Sequence, residues 1–236
     1  MITRKTALGE ERVVLIHGLA ENPLTMMPVE LALRAAGYQV TNIAYPSTLR
    51  GIPELLEEYI WPLVGAFDDA EKLHFVTHSL GGVLLHSVLQ TTQPSNLGRV
   101  VMTAPGLRGS EALEVYRRNW LFRMLYGEAA YRSGTREEGF ASTLQMQVNY
   151  ELGIIAGALP MDPASLFVVP WPHDGKISVG RTKIPGMSDH IVLPTAHDLI
   201  ASDPIAIAQT LRFLRDGCFF HLMSARATPA GQSMAA

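Results

Sequence analysis

One serine in this chain stands where a nucleophile would be built, between an apolar strand-like run and a helix that opens on two glycines. The run Thr77-His78-Ser79-Leu80-Gly81-Gly82 follows Leu73, Phe75 and Val76 and precedes Val83, Leu84, Leu85, Val88 and Leu89. The first set reads as a short strand and the second as an apolar helical face. The turn between them must be sharp, so residues with little side chain are needed where strand and helix approach each other. A serine at its tip sits at a helix N-terminus, whose partial positive charge favours a developing oxyanion. Thr77 occupies the place where the G-x-S-x-G pattern has its first glycine, which requires its side chain to point away from the following helix.

A serine is a poor nucleophile unless a base takes its proton, and the base works best when a carboxylate fixes its tautomer and stabilises its cation. Strand-end geometry decides among the eight histidines, because in an open parallel sheet sites lie beyond the carboxyl ends of the strands. His197 follows the strand-like run His190 to Leu193 after Pro194-Thr195-Ala196, which brings it to the same end as Ser79. His190 begins that run and would lie more than about 10 Å lower at roughly 3.3 Å per residue. Two acids sit on loops after late strands: Asp174, in His173-Asp174-Gly175-Lys176-Ile177-Ser178-Val179, and Asp162, which follows the run Leu152 to Ala156 more closely. Asp198 adjoins His197, but adjacent side chains diverge. Two backbone N–H groups are candidates for an oxyanion hole, Leu80 just after the serine and Leu19 in His17-Gly18-Leu19-Ala20 after the first strand. His17 and His78 are expected to brace these loops rather than transfer protons, and His74, His86, His173 and His221 fall in no pattern that assigns them chemistry.

The elements that must position these groups alternate between strand-like and helical, which predicts a parallel sheet covered on both faces. Val13 to Ile16, Val40 to Tyr45, Leu73 to Val76, Val100 to Ala104, Leu152 to Ala156 and His190 to Leu193 are the expected strands. Helices are expected around Met27, Leu31 and Ala35, over Pro53 to Phe67 with a kink or early end at Pro62, over Val83 to Gln90, and from Asp203-Pro204 to Leu214. The alternation lapses from Gly106 to about Tyr150, where Ser110, Glu111 and Glu114 suit a helix start. Trp120, Phe122, Met124, Leu125 and Tyr126 give that segment more apolar surface than one helical face needs, which suggests a helical cap over 106–150 that walls an acyl-binding cleft. One domain over 1–223 is expected, with a small polar tail over 224–236 that is not ordered.

At 236 residues, 47% hydrophobic and net charge −3, the chain can bury a full core. No basic stripe suggests nucleic acid, and no stretch approaches the apolar length of a membrane span. Cys218 is the only cysteine, which excludes an internal disulfide and Cys/His metal cages. The polar lead into Val13 lacks the apolar core of a secretion signal, so cytoplasmic residence is the default expectation. No cofactor or metal is expected.

The chain resembles the α/β-hydrolases of the small lipase and esterase type, on Val14-Leu15-Ile16-His17-Gly18-Leu19, on Phe75-Val76-Thr77-His78-Ser79-Leu80-Gly81-Gly82 and on the segment from Asp174 to His197. The resemblance spans most of Val13 to Leu214. It implies a mostly parallel sheet with helices on both faces and a helical cap insertion. It also implies Ser79 as nucleophile, Asp174 as acid, His197 as base and the Leu19 and Leu80 amides as oxyanion donors. Asp198 departs from the uncharged residue expected after the histidine. The implied activity is hydrolysis of carboxylic esters through an acyl-enzyme, on a small-molecule or polymeric ester with an apolar acyl or aromatic part, including lipid-like or polyester chains. A thioesterase or acyltransferase with the same three residues, and a relative that only binds an apolar ligand, are the alternatives. Dehalogenase or epoxide-hydrolase chemistry needs an aspartate where Ser79 stands.

Overall fold

Continuous apolar runs become strands that feed two cores at once. In β1 (Glu11–Ile16) successive residues alternate faces, so Val14 and Ile16 enter one core while Val13 and Leu15 enter the other. The computed structural model describes residues 10–116, 140 and 144–221. Over these, β1, β2 (Gln39–Asn42), β3 (Lys72–His78), β4 (Leu97–Thr103), β5 (Leu152–Gly157) and β6 (Asp189–Leu193) form one sheet in the order β2-β1-β3-β4-β5-β6. Every neighbouring pair is parallel.

The two faces are covered by different helices. Helix α1 (Met27–Ala35) and the last described helix, Pro204–Asp216, cover the Val13 and Leu15 side with Val29, Leu33, Phe213 and Leu214. The short α2 (Ile52–Leu55) and α3 (Leu80–Leu89) cover the other with Ile52, Leu55, Val83, Leu84 and Val88. Nearly every residue of α3 is buried, which is why it is apolar all round instead of amphipathic.

The expected helix over Pro53 to Phe67 is a composite. One α-helical turn, Ile52–Leu55, passes into a π-helical stretch, Leu56–Ile60, and a 3-10 stretch, Trp61–Val64. Pro62 has no N–H to donate, so an α-helical ladder cannot run through it, and the spacing widens ahead of it over Leu56–Ile60 and tightens at Trp61–Val64. β2 ends at Asn42 instead of Tyr45, because Tyr45 leaves the sheet to donate its hydroxyl to the His17 carbonyl at 2.6 Å and to stack on the His17 ring. α3 starts at Leu80, three residues before the apolar face begins, because Gly81 and Gly82 form its first turn. The expected cap is described only at its ends. A helix, α4 (Glu111–Tyr116), starts where Ser110 suggested, whereas Trp120, Phe122, Met124, Leu125 and Tyr126, like the tail 224–236, lie outside the described residues. Among the described residues no helix is long and apolar enough to cross a membrane.

Buried His74 links this fold to pH. Its Nδ1 accepts the Arg99 N–H at 2.8 Å, so the ring is placed to be neutral, with Nε2 3.3 Å from Glu11 Oε2. Burial, reinforced by Arg99, pushes its pKa down from 6.5 to about 4. The unfolded chain therefore binds more protons than the folded one between these values. Stability falls as pH drops through that window and levels off below it, by on the order of 3 kcal/mol for His74. Thermal unfolding midpoints should drop between pH 6.5 and 4, and less steeply in His74→Asn, whose amide oxygen can still accept the Arg99 N–H. An unchanged slope would place the acid-sensitive group elsewhere, with His190, also held down to about 4, the next to test.

Candidate active site

The chain runs from β1 to the outer strand β2 and then back across β1 to β3, so β1 and β3 feed opposite directions of the sheet. Such a switch leaves a crevice beyond the strands' carboxyl ends. Leu19 follows β1 and Ser79 follows β3, and both line that crevice.

Ser79 sits at φ 49° and ψ −116°, a region that costs a non-glycine residue about 1–3 kcal/mol and that the surroundings must enforce. They do so from both sides. The Ser79 N–H donates to the Thr103 carbonyl on β4 at 3.0 Å, and the Ser79 carbonyl accepts the Gly82 N–H at 3.1 Å. A Cβ on Gly81 would stand 2.5 Å from the Ile16 carbonyl oxygen and 2.6 Å from that of His17, so only glycine lets α3 begin against the end of β1. Thr77 does not point away from the helix, contrary to the requirement drawn from its sequence position. Its Oγ1 faces α3, where a Cβ on Gly82 would lie 3.1 Å from it, and it fits because Gly82 leaves the space open.

His197 opens a 3-10 turn, His197–Leu199, just beyond β6. Its Nε2 lies 2.9 Å from Ser79 Oγ and its Nδ1 2.8 Å from Asp174 Oδ2. The other Asp174 oxygen accepts the N–H groups of Lys176 at 2.9 Å and Ile177 at 2.8 Å, and the Asp174 carbonyl accepts the His197 N–H at 3.0 Å. Burial alone would raise the Asp174 carboxyl. The His197 charge, its hydrogen bond and the two N–H donors outweigh burial and hold it below its ordinary value. An acceptor-only carboxylate at Nδ1 leaves Nε2 as the ring's acceptor toward the serine hydroxyl. The structure thus brings Ser79, Asp174 and His197 into one hydrogen-bonded line. Asp162 is elsewhere, capping the 3-10 helix Pro163–Phe167 through the Ala164 N–H. Asp198 turns outward to pair with Lys176 at the rim, and His190 bonds Thr182 on a one-turn helix, Val179–Thr182.

The turn after β1 is held from several directions. His17 is buried against Tyr45, and Ala20, at φ 57°, donates its N–H to Ser47 Oγ at 3.0 Å. Glu21 Oε2 accepts the Gly18 N–H at 2.8 Å, and its Oε1 lies 3.1 Å from His78 Nε2. Burial favours the neutral Glu21 carboxyl, but His78, the Gly18 N–H and the His197 charge hold it down at about 2. The amides of Leu19 and Leu80 have no hydrogen-bond acceptor among the described residues, Leu80 because it is the first residue of α3. Sequence reasoning missed Glu21, Tyr45 and Ser47. The signal for Glu21 was a carboxylate four residues beyond His17, while Tyr45 and Ser47 carry no local mark of their role.

The cleft beside Ser79 has a volume of about 170 Å³. Leu19, Leu80, Val83, Ala112, Leu113 and Ile177 give it an apolar wall, and Glu21, Ser79, Lys176 and His197 supply its polar groups. The start of α4 is clasped to the loop that carries Asp174. Glu111 accepts from Ser178 Oγ–H and from Arg181 Nε–H, and Ser110 Oγ–H donates to the Lys176 carbonyl.

No family model and no curated protein matches the sequence, but solved structures match the fold. A Bacillus licheniformis lipase in its mature form superposes with a TM-score of 0.70 at 17% identity, over 86% of this chain and 91% of that one. The fold is that of the α/β-hydrolases. A phospholipase of Legionella pneumophila aligns with a TM-score of 0.67 at 14% identity, over 88% of this chain and 60% of its own. A lipase-esterase related protein from Clostridium acetobutylicum aligns with a TM-score of 0.58 at 12% identity, over 87% and 94%. At 12–17% identity the likeness to these structures is one of fold.

Proposed function

We propose that this chain is a serine hydrolase that cleaves carboxylic esters through an acyl-enzyme. The observation that carries the reading is the unbroken line from Ser79 Oγ to His197 Nε2 at 2.9 Å and from His197 Nδ1 to Asp174 Oδ2 at 2.8 Å. Ser79 Oγ attacks the ester carbonyl carbon and its proton passes to His197 Nε2. Asp174 holds the resulting imidazolium and keeps the ring in register. The carbonyl oxygen becomes an oxyanion, and the Leu19 and Leu80 amides are its donors. Collapse of the intermediate breaks the bond to the alkoxide, which leaves as alcohol with the proton from Nε2. Water then repeats the sequence on the acyl-serine, releasing the acid and restoring Ser79. The lipase, phospholipase and esterase names of the structural neighbours support the same reaction class.

The wall of the cleft supports an apolar acyl or aromatic group of modest size. Its volume of about 170 Å³ is close to that of an engineered apolar cavity of roughly 150 Å³ that holds one benzene ring. Among p-nitrophenyl esters, butyrate and benzoate should give higher kcat/KM than acetate, which fills the wall poorly, and than dodecanoate, which overruns it. A steady rise to dodecanoate would place the acyl chain outside this cleft. A protein that turns over no ester and takes no fluorophosphonate label would leave a binding relative as the surviving reading.

A further inference from the structure

We infer that Glu21 is a positioning residue that holds the Gly18–Leu19 turn so that the Leu19 amide faces the oxyanion formed at Ser79, an assignment that rests on the hydrolase reading above. The turn has to present one N–H to the cleft while satisfying the others, and each of the others has a partner. The Gly18 N–H goes to Glu21 Oε2 at 2.8 Å and the Ala20 N–H to Ser47 Oγ at 3.0 Å, which leaves Leu19 N–H as the donor between two anchored neighbours. Without an acceptor for Gly18 N–H, the peptide units around this glycine can rotate, and a flipped unit would turn a carbonyl toward the oxyanion.

What fixes Glu21 is equally specific. Its side chain is 15% exposed and its second oxygen faces His78 Nε2 at 3.1 Å. His78 Nδ1 in turn faces Thr103 Oγ1 at 3.2 Å, whose hydroxyl donates to the Thr77 carbonyl, so the ring nitrogens of His78 face one oxygen on the loop after β1 and one on β4. His78 immediately precedes Ser79, and Leu80 immediately follows it. The contact therefore ties the loop that bears one oxyanion donor to the strand end that bears the other and sets their separation. Buried ion pairs add little net stability compared with apolar packing, so a carboxylate retained inside an apolar-walled cleft fits a geometric task better than a stabilising one.

The test is steady-state and single-turnover kinetics on Glu21→Ala and Glu21→Gln beside the wild type, with thermal unfolding of each. An oxyanion donor acts on the transition state and not on the bound ester, so Glu21→Ala should lower kcat about 10²-fold and leave KM within a few-fold. Fluorophosphonate labelling of Ser79 should slow in proportion. Glu21→Gln keeps an acceptor for the Gly18 N–H and should restore kcat to within about tenfold of wild type. Should Glu21→Ala not fold, Glu21→Asp, whose carboxylate is one methylene short of spanning Gly18 and His78, must show the same kcat loss. Wild-type kcat in a folded Glu21→Ala protein, a loss confined to KM, or a Glu21→Gln variant as impaired as Glu21→Ala would each overturn the assignment. A wild type that neither labels nor hydrolyses esters would instead fail the hydrolase reading, and this inference with it.

Discussion

Replacing Ser79 with alanine should remove ester hydrolysis almost entirely, with turnover lower on the order of 10⁶-fold, the scale set by loss of the nucleophile in subtilisin. The substitution deletes one oxygen from a turn whose backbone is held by Thr103 and Gly82, not by the hydroxyl, so folding should be unaffected. The strained φ of 49° remains, because alanine meets the same backbone restriction as serine. Burst kinetics with a p-nitrophenyl ester, together with an unchanged thermal midpoint, would establish the result. A folded Ser79→Ala protein with wild-type turnover would end the acyl-enzyme reading.

The second large effect concerns the base and its orienting acid. His197→Ala should be nearly as damaging as loss of the serine, and Asp174→Asn should lower kcat by roughly 10⁴-fold. The asparagine oxygen would keep the Lys176 and Ile177 N–H bonds that Asp174 Oδ1 now accepts, at 2.9 and 2.8 Å, which turns its NH₂ toward His197 Nδ1. The imidazole must then carry its proton on Nε2, where it faces the serine as a donor and cannot take the hydroxyl proton. Asp162→Asn keeps an oxygen to cap the 3-10 helix Pro163–Phe167 and to accept from Tyr116, makes no contact with His197, and should stay active. If the two variants exchange these outcomes in the same esterase assay, Asp162 is the acid and Asp174 is not.

The framework was legible because it is encoded locally. Runs such as Val13 to Ile16 and Leu152 to Gly157 are apolar without alternation, as strands covered on both faces must be, and the order of runs already implied a parallel sheet. His197 could be separated from His190 by counting along one strand, and both stand where that count places them, at opposite ends of β6. The Glu21–His78 contact was not legible, since it depends on β1 and β3 being neighbours and on which way two side chains turn at the strand ends. Thr77 was misread for a related reason. Whether a side chain faces the helix is settled by the pleat of β3, and whether that is tolerated is settled by Gly82, five residues on, once the chain has turned back. The breakdown of the helix was half visible, because Pro62 marks that an α-helix cannot run to Phe67 but not that the α spacing is already lost after Leu55.

The order β2-β1-β3-β4-β5-β6 has a consequence for the life of the chain on the ribosome. The strands that carry Leu19 and Ser79 emerge first, whereas Asp174 and His197 arrive on the segments that follow β5 and β6, at the far side of the sheet. A nascent polypeptide can therefore present its serine turn long before anything exists to take the proton from it. On the proposed mechanism the serine gains its base only once β6 is laid beside β5, so fluorophosphonate labelling of Ser79 should report chains whose synthesis and assembly have both run past β6.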